Sequence, residues 1–337
     1  MKYSPAKTLS RLLPLLIFSI LVCSCKDAEK NKKQEIASTT TQSSESDLFF
    51  KLSLAEWSFH TPLQNGEMNP MDFAKRAKEL GFSGLEYVSQ FYTPLFQNSE
   101  DPKAALQKIL DTLKAKSEKY NVKNVLIMVD NEGDLASPEE SERNQAVDNH
   151  KKWVDAAQFL GCHAIRVNLF GSDSASVWKP ASIDGLTKLA KYAADKKIEV
   201  LVENHGYLSS NSELLAKVIQ GVGMPNCGTL PDFGNFCLRR EGGERWNAPC
   251  IKEYPRYKGI EEMMPYAKAV SAKSYDFDKT GNETLIDYYR VLKIVKDAGY
   301  TGFIGTEYEG TRLSPVEGIK ATKNLLIKAG KKVQENH

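Results

Sequence analysis

The chain is 337 residues long and carries 45 Lys and Arg against 43 Asp and Glu, a formal net charge of +2. Residues 1–24 hold three of the positive charges and no negative one, so without them the balance becomes −1. That near-neutral balance argues against nucleic acid as the main partner.

Lys2, Lys7 and Arg11 precede an apolar run from Leu12 to Val22, and Cys23-Ser24-Cys25 follows. A basic start and a short apolar core describe an export signal too short to span a bilayer. Val22-Cys23-Ser24-Cys25 also resembles a bacterial lipobox, with Cys25 as the lipidated residue. The first expectation is therefore a lipoprotein signal over residues 1–24, with a lipid anchor as the only membrane contact. Residues 25–48 are polar through Asp47 and rich in Lys, Glu, Ser and Thr, which predicts a flexible tether. Residues 49–337 remain for one domain, enough for an α/β barrel of about 250 residues.

Within that domain one unit recurs: an amphipathic helix, a glycine, then a short strand ending in a polar residue. Phe73 to Leu80 stops at Gly81, Trp153 to Leu160 at Gly161, and Leu292 to Ala298 at Gly299. Such glycines close a helix in the left-handed conformation. Strands are predicted to start near Phe50, Gly84, Asn124, Ala164, Glu199, Cys227, Ala269 and Phe303, with a last helix over Val316 to Lys332. Eight βα units predict a single (β/α)8 TIM barrel rather than an open doubly wound sheet. No G-x-G-x-x-G follows the first strand, which weakens dinucleotide binding. The longest break, Phe236 to Lys258, reads as a lid or specificity insert. Of the cysteines beyond Cys25, none has CxxC spacing, and an oxidising compartment permits a Cys237–Cys250 disulfide.

The strand ends carry Glu56 or His60, Glu86, Asp130, Asn168, Glu203 with His205, Asp232, Lys273, and Glu307 with Glu309. Carboxylates gathered at the mouth of a barrel repel one another unless a cation lies between them. Glu203, Asp232 and Glu307, each just past an apolar run, are the candidate ligands. Oxygen donors favour manganese, magnesium or cobalt, with zinc as a further option. His205, Lys273, Glu86, Asn168, Asn235 and Trp246 are the candidate substrate contacts. His205 is equally readable as a prop for Glu203, and Trp246 is the best of the aromatic residues for stacking on a ligand ring. His163 reads as structural and His150 as solvated in a polar helix.

Five stretches, Leu52-Ser53-Leu54-Ala55-Glu56-Trp57-Ser58, Glu203-Asn204-His205, Pro231-Asp232-Phe233-Gly234-Asn235, Ala269-Val270-Ser271-Ala272-Lys273 and Gly305-Thr306-Glu307-Tyr308-Glu309-Gly310, stand out along the domain. In their order and spacing, from Leu52 to about Lys328, the chain resembles the xylose isomerase-like barrels. The resemblance implies two glutamates, an aspartate and a histidine around a metal, with the glutamates as the acid–base pair. Glu203, Asp232 and Glu307 match three ligands, whereas Ser271 stands where the family pattern has histidine. The implied chemistry is proton abstraction beside a carbonyl, giving epimerisation or isomerisation. An exported enzyme is expected to meet a non-phosphorylated sugar or keto-sugar. Expulsion of a leaving group by the same base is keto-glycoside lyase chemistry. A nuclease of the same fold fares badly for want of histidines and a basic groove. A non-catalytic carbohydrate-binding barrel is the remaining alternative, and the oligomeric state is open.

Overall fold

The computed structural model describes residues 48–335. The expectations for the signal, the tether and Cys25 therefore fall on residues outside those described, except that Leu48 already packs against the core.

Eight parallel strands form one sheet: β1 (Lys51–Ala55), β2 (Gly84–Val88), β3 (Lys123–Val129), β4 (Ala164–Val167), β5 (Glu199–Glu203), β6 (Cys227–Leu230), β9 (Val270–Ser274) and β10 (Phe303–Tyr308). The order around the sheet is β6-β5-β4-β3-β2-β1-β10-β9. The ring closes between β6 and β9 through two isolated parallel bridges, Thr229 with Ala267 and Asp232 with Ser271. Six of the eight predicted strand starts fall on these strands, and Phe50 and Ala269 lie one residue before β1 and β9. The helices between them include Glu140–Leu160, Ala175–Asp195 and the closing Pro315–Glu335. Gly81, Gly161 and Gly299 all take positive φ, so the left-handed stop after each helix is as the sequence predicts.

Alternation along the strands sorts the side chains into two layers. Val200 and Val202 of β5 belong to the large cluster that packs strands against helices, together with Ile165, Val167, Ile304 and Leu326. Leu201 belongs to a second, smaller cluster with Leu126, Met128, Ala164 and Leu230. This inner layer fills the barrel, and it fixes what happens at the mouth. Glu203 has the parity of Leu201, Asp232 that of Leu230, Arg166 that of Ala164, and Lys273 that of Ala269. Glu203, Asp232 and Arg166 are therefore each the next inward position above an apolar floor, and Lys273 is the second, with Ser271 between it and Ala269. Gly305 is needed on this inner face because a Cβ there would come within 2.3 Å of a Glu86 carboxylate oxygen.

The long break after β6 is an antiparallel hairpin of β7 (Cys237–Arg240) and β8 (Cys250–Glu253). The Cys237–Cys250 disulfide joins its two strands. Cys162 and Cys227 are free and buried in the outer layer.

Candidate active site

The site is built where the inner faces of β4, β5, β6, β9 and β10 run out of apolar residues. Glu203, Asp232 and Glu307 are buried there, with one ligand atom of each within 4.8 Å of the others. Asp232 sits on the closing seam. Its Oδ1 accepts from the backbone N–H groups of Gly234 and Asn235, both at 2.8 Å. Its buried Oδ2 has no hydrogen-bond partner. Buried carboxylate oxygens are normally satisfied, so this one marks a place for a cation or a donor.

Two buried cations share the site. Lys273, paired with Glu307 in the β9–β10 register, puts Nζ 3.3 Å from Glu307, 3.2 Å from Glu309 and 4.0 Å from Asp232 Oδ2. Arg166 lies between Asp130 and Glu203, 2.8 Å from each. Its Nη1 hydrogen-bonds Asp130, whereas Nε faces Glu203 as a charge without hydrogen-bond alignment. Ser271 Oγ donates to Glu307 at 2.9 Å and Asn235 Nδ2 to Glu203 at 3.0 Å. Trp57 Nε1 donates to Glu309 at 2.5 Å.

Five carboxylates, Asp130, Glu203, Asp232, Glu307 and Glu309, thus face two cations. Burial raises Glu307 to about 8 and Asp232 to about 6, with Lys273 opposing both and neighbouring carboxylates adding to the rise. Glu203 is also raised by burial, against the pull of Arg166. For Asp130 and Glu309 burial acts in the same sense, but the adjacent cations outweigh it and hold both below the ordinary range. Lys273 is kept protonated by Glu307, Glu309 and Asp232 despite its burial. Even with Glu307 neutral, the formal balance is two negative charges, which one divalent cation offsets.

The histidine beside this cluster has a definite role in the network. Asn168 Nδ2 donates to Asp130 at 2.6 Å, so its Oδ1 is left to face His205 Nδ1 at 2.7 Å. His205 Nδ1 therefore carries the hydrogen, and Nε2 keeps its lone pair. Burial, helped by Arg166 and Lys273, lowers His205 to about 4, so it is neutral at physiological pH.

Above the charged floor lies a cleft of ≈ 530 Å³ lined by His205, Asn168, Asn235, Glu307 and Trp246 among others. Its volume is in the range of small-molecule sites. The predicted residues Glu203, Asp232, Glu307, Lys273, Asn168, His205 and Asn235 thus meet at one place, with Trp246 on the wall. Glu86 does not join them. It is two residues short of the end of β2, and burial in the barrel interior raises it to about 7 while Ser53 donates to it at 2.6 Å. Glu56 turns away to accept from Val88 N–H and the Tyr92 hydroxyl. His150 is a correction too: it is buried, bonded through Nδ1 to Ala146 O at 2.7 Å, and lines the cleft. His163 is structural, paired with Glu199 at 3.0 Å. Arg166 is the main residue sequence reasoning missed. The available signal was a lone arginine at an inward position of the apolar strand Ala164-Ile165-Arg166-Val167.

The family whose pattern matches residues 74–329 is described as Xylose isomerase-like TIM barrel. A C-glycoside deglycosidase alpha subunit from Arthrobacter globiformis is 31% identical over 74 residues, 20% of this chain and 21% of that protein. The chain thus aligns with only about a fifth of the length of the curated relatives it matches. Among solved structures, a zinc-bound IolI protein superposes with a TM-score of 0.62 at 14% identity, over 84% of this chain and 99% of the other. A 3-keto-D-glucoside 4-epimerase from E. coli gives 0.61 at 15% identity, over 83% and 99%. At these identities the two structures speak for the fold alone.

Proposed function

The chain belongs to the xylose isomerase-like TIM barrel family, and on that premise we propose that it is an isomerase- or epimerase-type enzyme acting on a non-phosphorylated keto-sugar. The observation that carries this is the convergence of Glu203, Asp232 and Glu307, with Asp232 Oδ2 buried and unpartnered, beneath a sugar-sized cleft.

The donor set suits a hard divalent cation. One carboxylate oxygen from each of Glu203, Asp232 and Glu307 lies within 4.8 Å of the others, close enough for the three to share one ion. Glu203, Asp232 and Glu307 would hold manganese, magnesium or cobalt, with Ser271 steering Glu307 rather than ligating. When bound, the ion supplies charge stabilisation for the oxygen beside the reacting carbon. The zinc in the IolI neighbour keeps zinc in the set to be tested.

The rest falls to this chain's own groups. Glu203, held against Arg166 and Asn235, takes the proton from the carbon next to the carbonyl. Glu307 is the partner group that returns a proton, from β10, three strands away around the closed barrel. Neutral His205 accepts a sugar hydroxyl at Nε2, and Asn168 fixes its orientation. Lys273 balances the acidic floor so that the substrate is not repelled.

A second reading has its own support in the deglycosidase relative. Here the same base removes the proton alpha to a ketone. The bond from the beta carbon to the aglycone then breaks, its electron pair leaving with the aglycone and an enone remaining. Export and lipidation at Cys25 complete the proposal, since phosphorylated sugars are scarce outside the cytoplasm.

The test is solvent-deuterium exchange into methyl 3-keto-glucoside, followed by NMR with the divalent metals in turn. Exchange that vanishes in Glu203→Gln supports proton abstraction, and release of methanol instead identifies the elimination. A protein that retains metal and sugar but exchanges nothing would be a binding barrel.

A further inference from the structure

The two walls of the cleft are chemically unlike. The floor is ionic, whereas the side contributed by the hairpin is aromatic and belongs to neither core layer. Trp246, 43% exposed, meets Phe170 edge-on with centroids 5.4 Å apart and lies 5.1 Å from the His205 ring. Arg245 packs its guanidinium 4.5 Å over the other ring, Phe170, and reaches Asp134 at 3.2 Å on the loop after β3. The Tyr207 hydroxyl donates to the carbonyls of Gly243 and Glu244, holding the tip of the hairpin from the β5 side. The disulfide holds its base. A half-exposed tryptophan fixed by an ion pair, a tyrosine and a disulfide is a positioned surface, and the barrel core gains nothing from it.

We propose that Phe170, Trp246 and Arg245 form a subsite for a second ring, so that the substrate is a two-ring glycoside rather than a free monosaccharide. This rests on the keto-sugar reading of the acidic floor. The reacting ring lies over Glu203 and Glu307, and the ring joined to it through the glycosidic bond lies against Trp246. The recognised chemistry is a flat face of C–H or aromatic carbon, which either an aryl aglycone or a second sugar presents. The guanidinium at the edge of the aromatic pair adds donors for the hydroxyls or carbonyls of that ring.

The experiment measures calorimetric affinities of the mature protein for methyl β-D-glucopyranoside, p-nitrophenyl β-D-glucopyranoside and cellobiose. At least one two-ring probe is expected to bind on the order of tenfold more tightly than the methyl glycoside. Which of the two does so distinguishes an aryl aglycone from a sugar. Trp246→Ala is expected to bring the probes within about twofold of one another, while Trp246→Phe, which keeps a ring, retains most of the preference. Equal affinity of all three probes for the wild type overturns the proposal. So does a Trp246→Ala variant that weakens all three by the same factor. Deuterium exchange into methyl 3-keto-glucoside is read in parallel. Failure of exchange with the ring preference intact counts against the chemistry and leaves the subsite standing.

Discussion

Glu56 is a test of whether a carboxyl at a strand end is machinery or scaffold. It is fully buried just past β1, accepting from Val88 N–H at 2.9 Å and the Tyr92 hydroxyl at 2.7 Å, with no cation beside it. Burial raises it from 4.5 to about 8, the two hydrogen bonds opposing that rise only in part. The folded protein thus holds a proton that the unfolded chain gives up above pH 4.5, and folding is favoured fully only below that value. Stability is lost as pH rises from 4.5 toward 8, and no more is lost beyond. At 1.36 kcal/mol per unit the span amounts to about 5 kcal/mol. Glu56→Gln keeps a neutral group of the same shape and removes this slope. Urea unfolding of both proteins at pH 5, 6, 7 and 8 isolates it, because the other raised carboxyls are common to both. The variant is expected to gain on the wild type by about 1.4 kcal/mol per pH unit over that range. Parallel pH curves would show that Glu56 ionises normally and that its burial has been misjudged.

Two further outcomes follow from the geometry of the site, and a third from the sequence of the first 25 residues. Manganese at about a hundred times its dissociation constant is expected to stabilise the fold by ~2.7 kcal/mol, seen as a melting-temperature rise of several degrees. Asp232→Asn should abolish that rise, and indifference of the wild type to manganese, magnesium, cobalt and zinc would remove metal from the site. Asn168→Ala frees the His205 ring and is expected to slow exchange on the order of ten- to hundredfold. Its metal-induced thermal shift should be unchanged, and an unchanged rate would mean that Asn168 does not orient the histidine. Cys25→Ser is expected to stop incorporation of radiolabelled palmitate and to release the protein from the membrane fraction. Continued labelling would place the anchor elsewhere.

The barrel and the acidic trio were legible in the sequence for one reason. A strand covered on both faces is an unbroken apolar run, so the residue that ends it stands out, as Glu203 does after Val200-Leu201-Val202. The same rule fails in the middle of a strand. Arg166 looks like an interruption between Ile165 and Val167, and only the inward parity of its position reveals that it faces Glu203. Glu86 fails for depth rather than direction: it points inward, but the strand continues past it to Val88. The polar helix around His150 suggests a solvated ring, because its neighbours Asn149, Lys151 and Lys152 are polar and partly exposed. A 3.6-residue period groups it instead with the buried Ala146, Val147 and Trp153. The Cys237–Cys250 pair could be named from the sequence as a possible disulfide, but that it forms depends on the antiparallel β7–β8 register, which brings the two cysteines together.

The seam between β6 and β9 ties the ligand trio to the mechanics of the whole ring. Three main-chain hydrogen bonds cross it there: Lys268 to Thr229, Ser271 to Pro231 and Phe233 to Ser271. Two of them flank Asp232, whose side chain reaches toward Glu203 on one side of the join and Glu307 on the other. An ion gripped by all three would act as a rivet across the weakest stave of the barrel. Chelation would then loosen that stave first, and the amide protons of Ser271 and Phe233 would trade with solvent before those of β1 or β3.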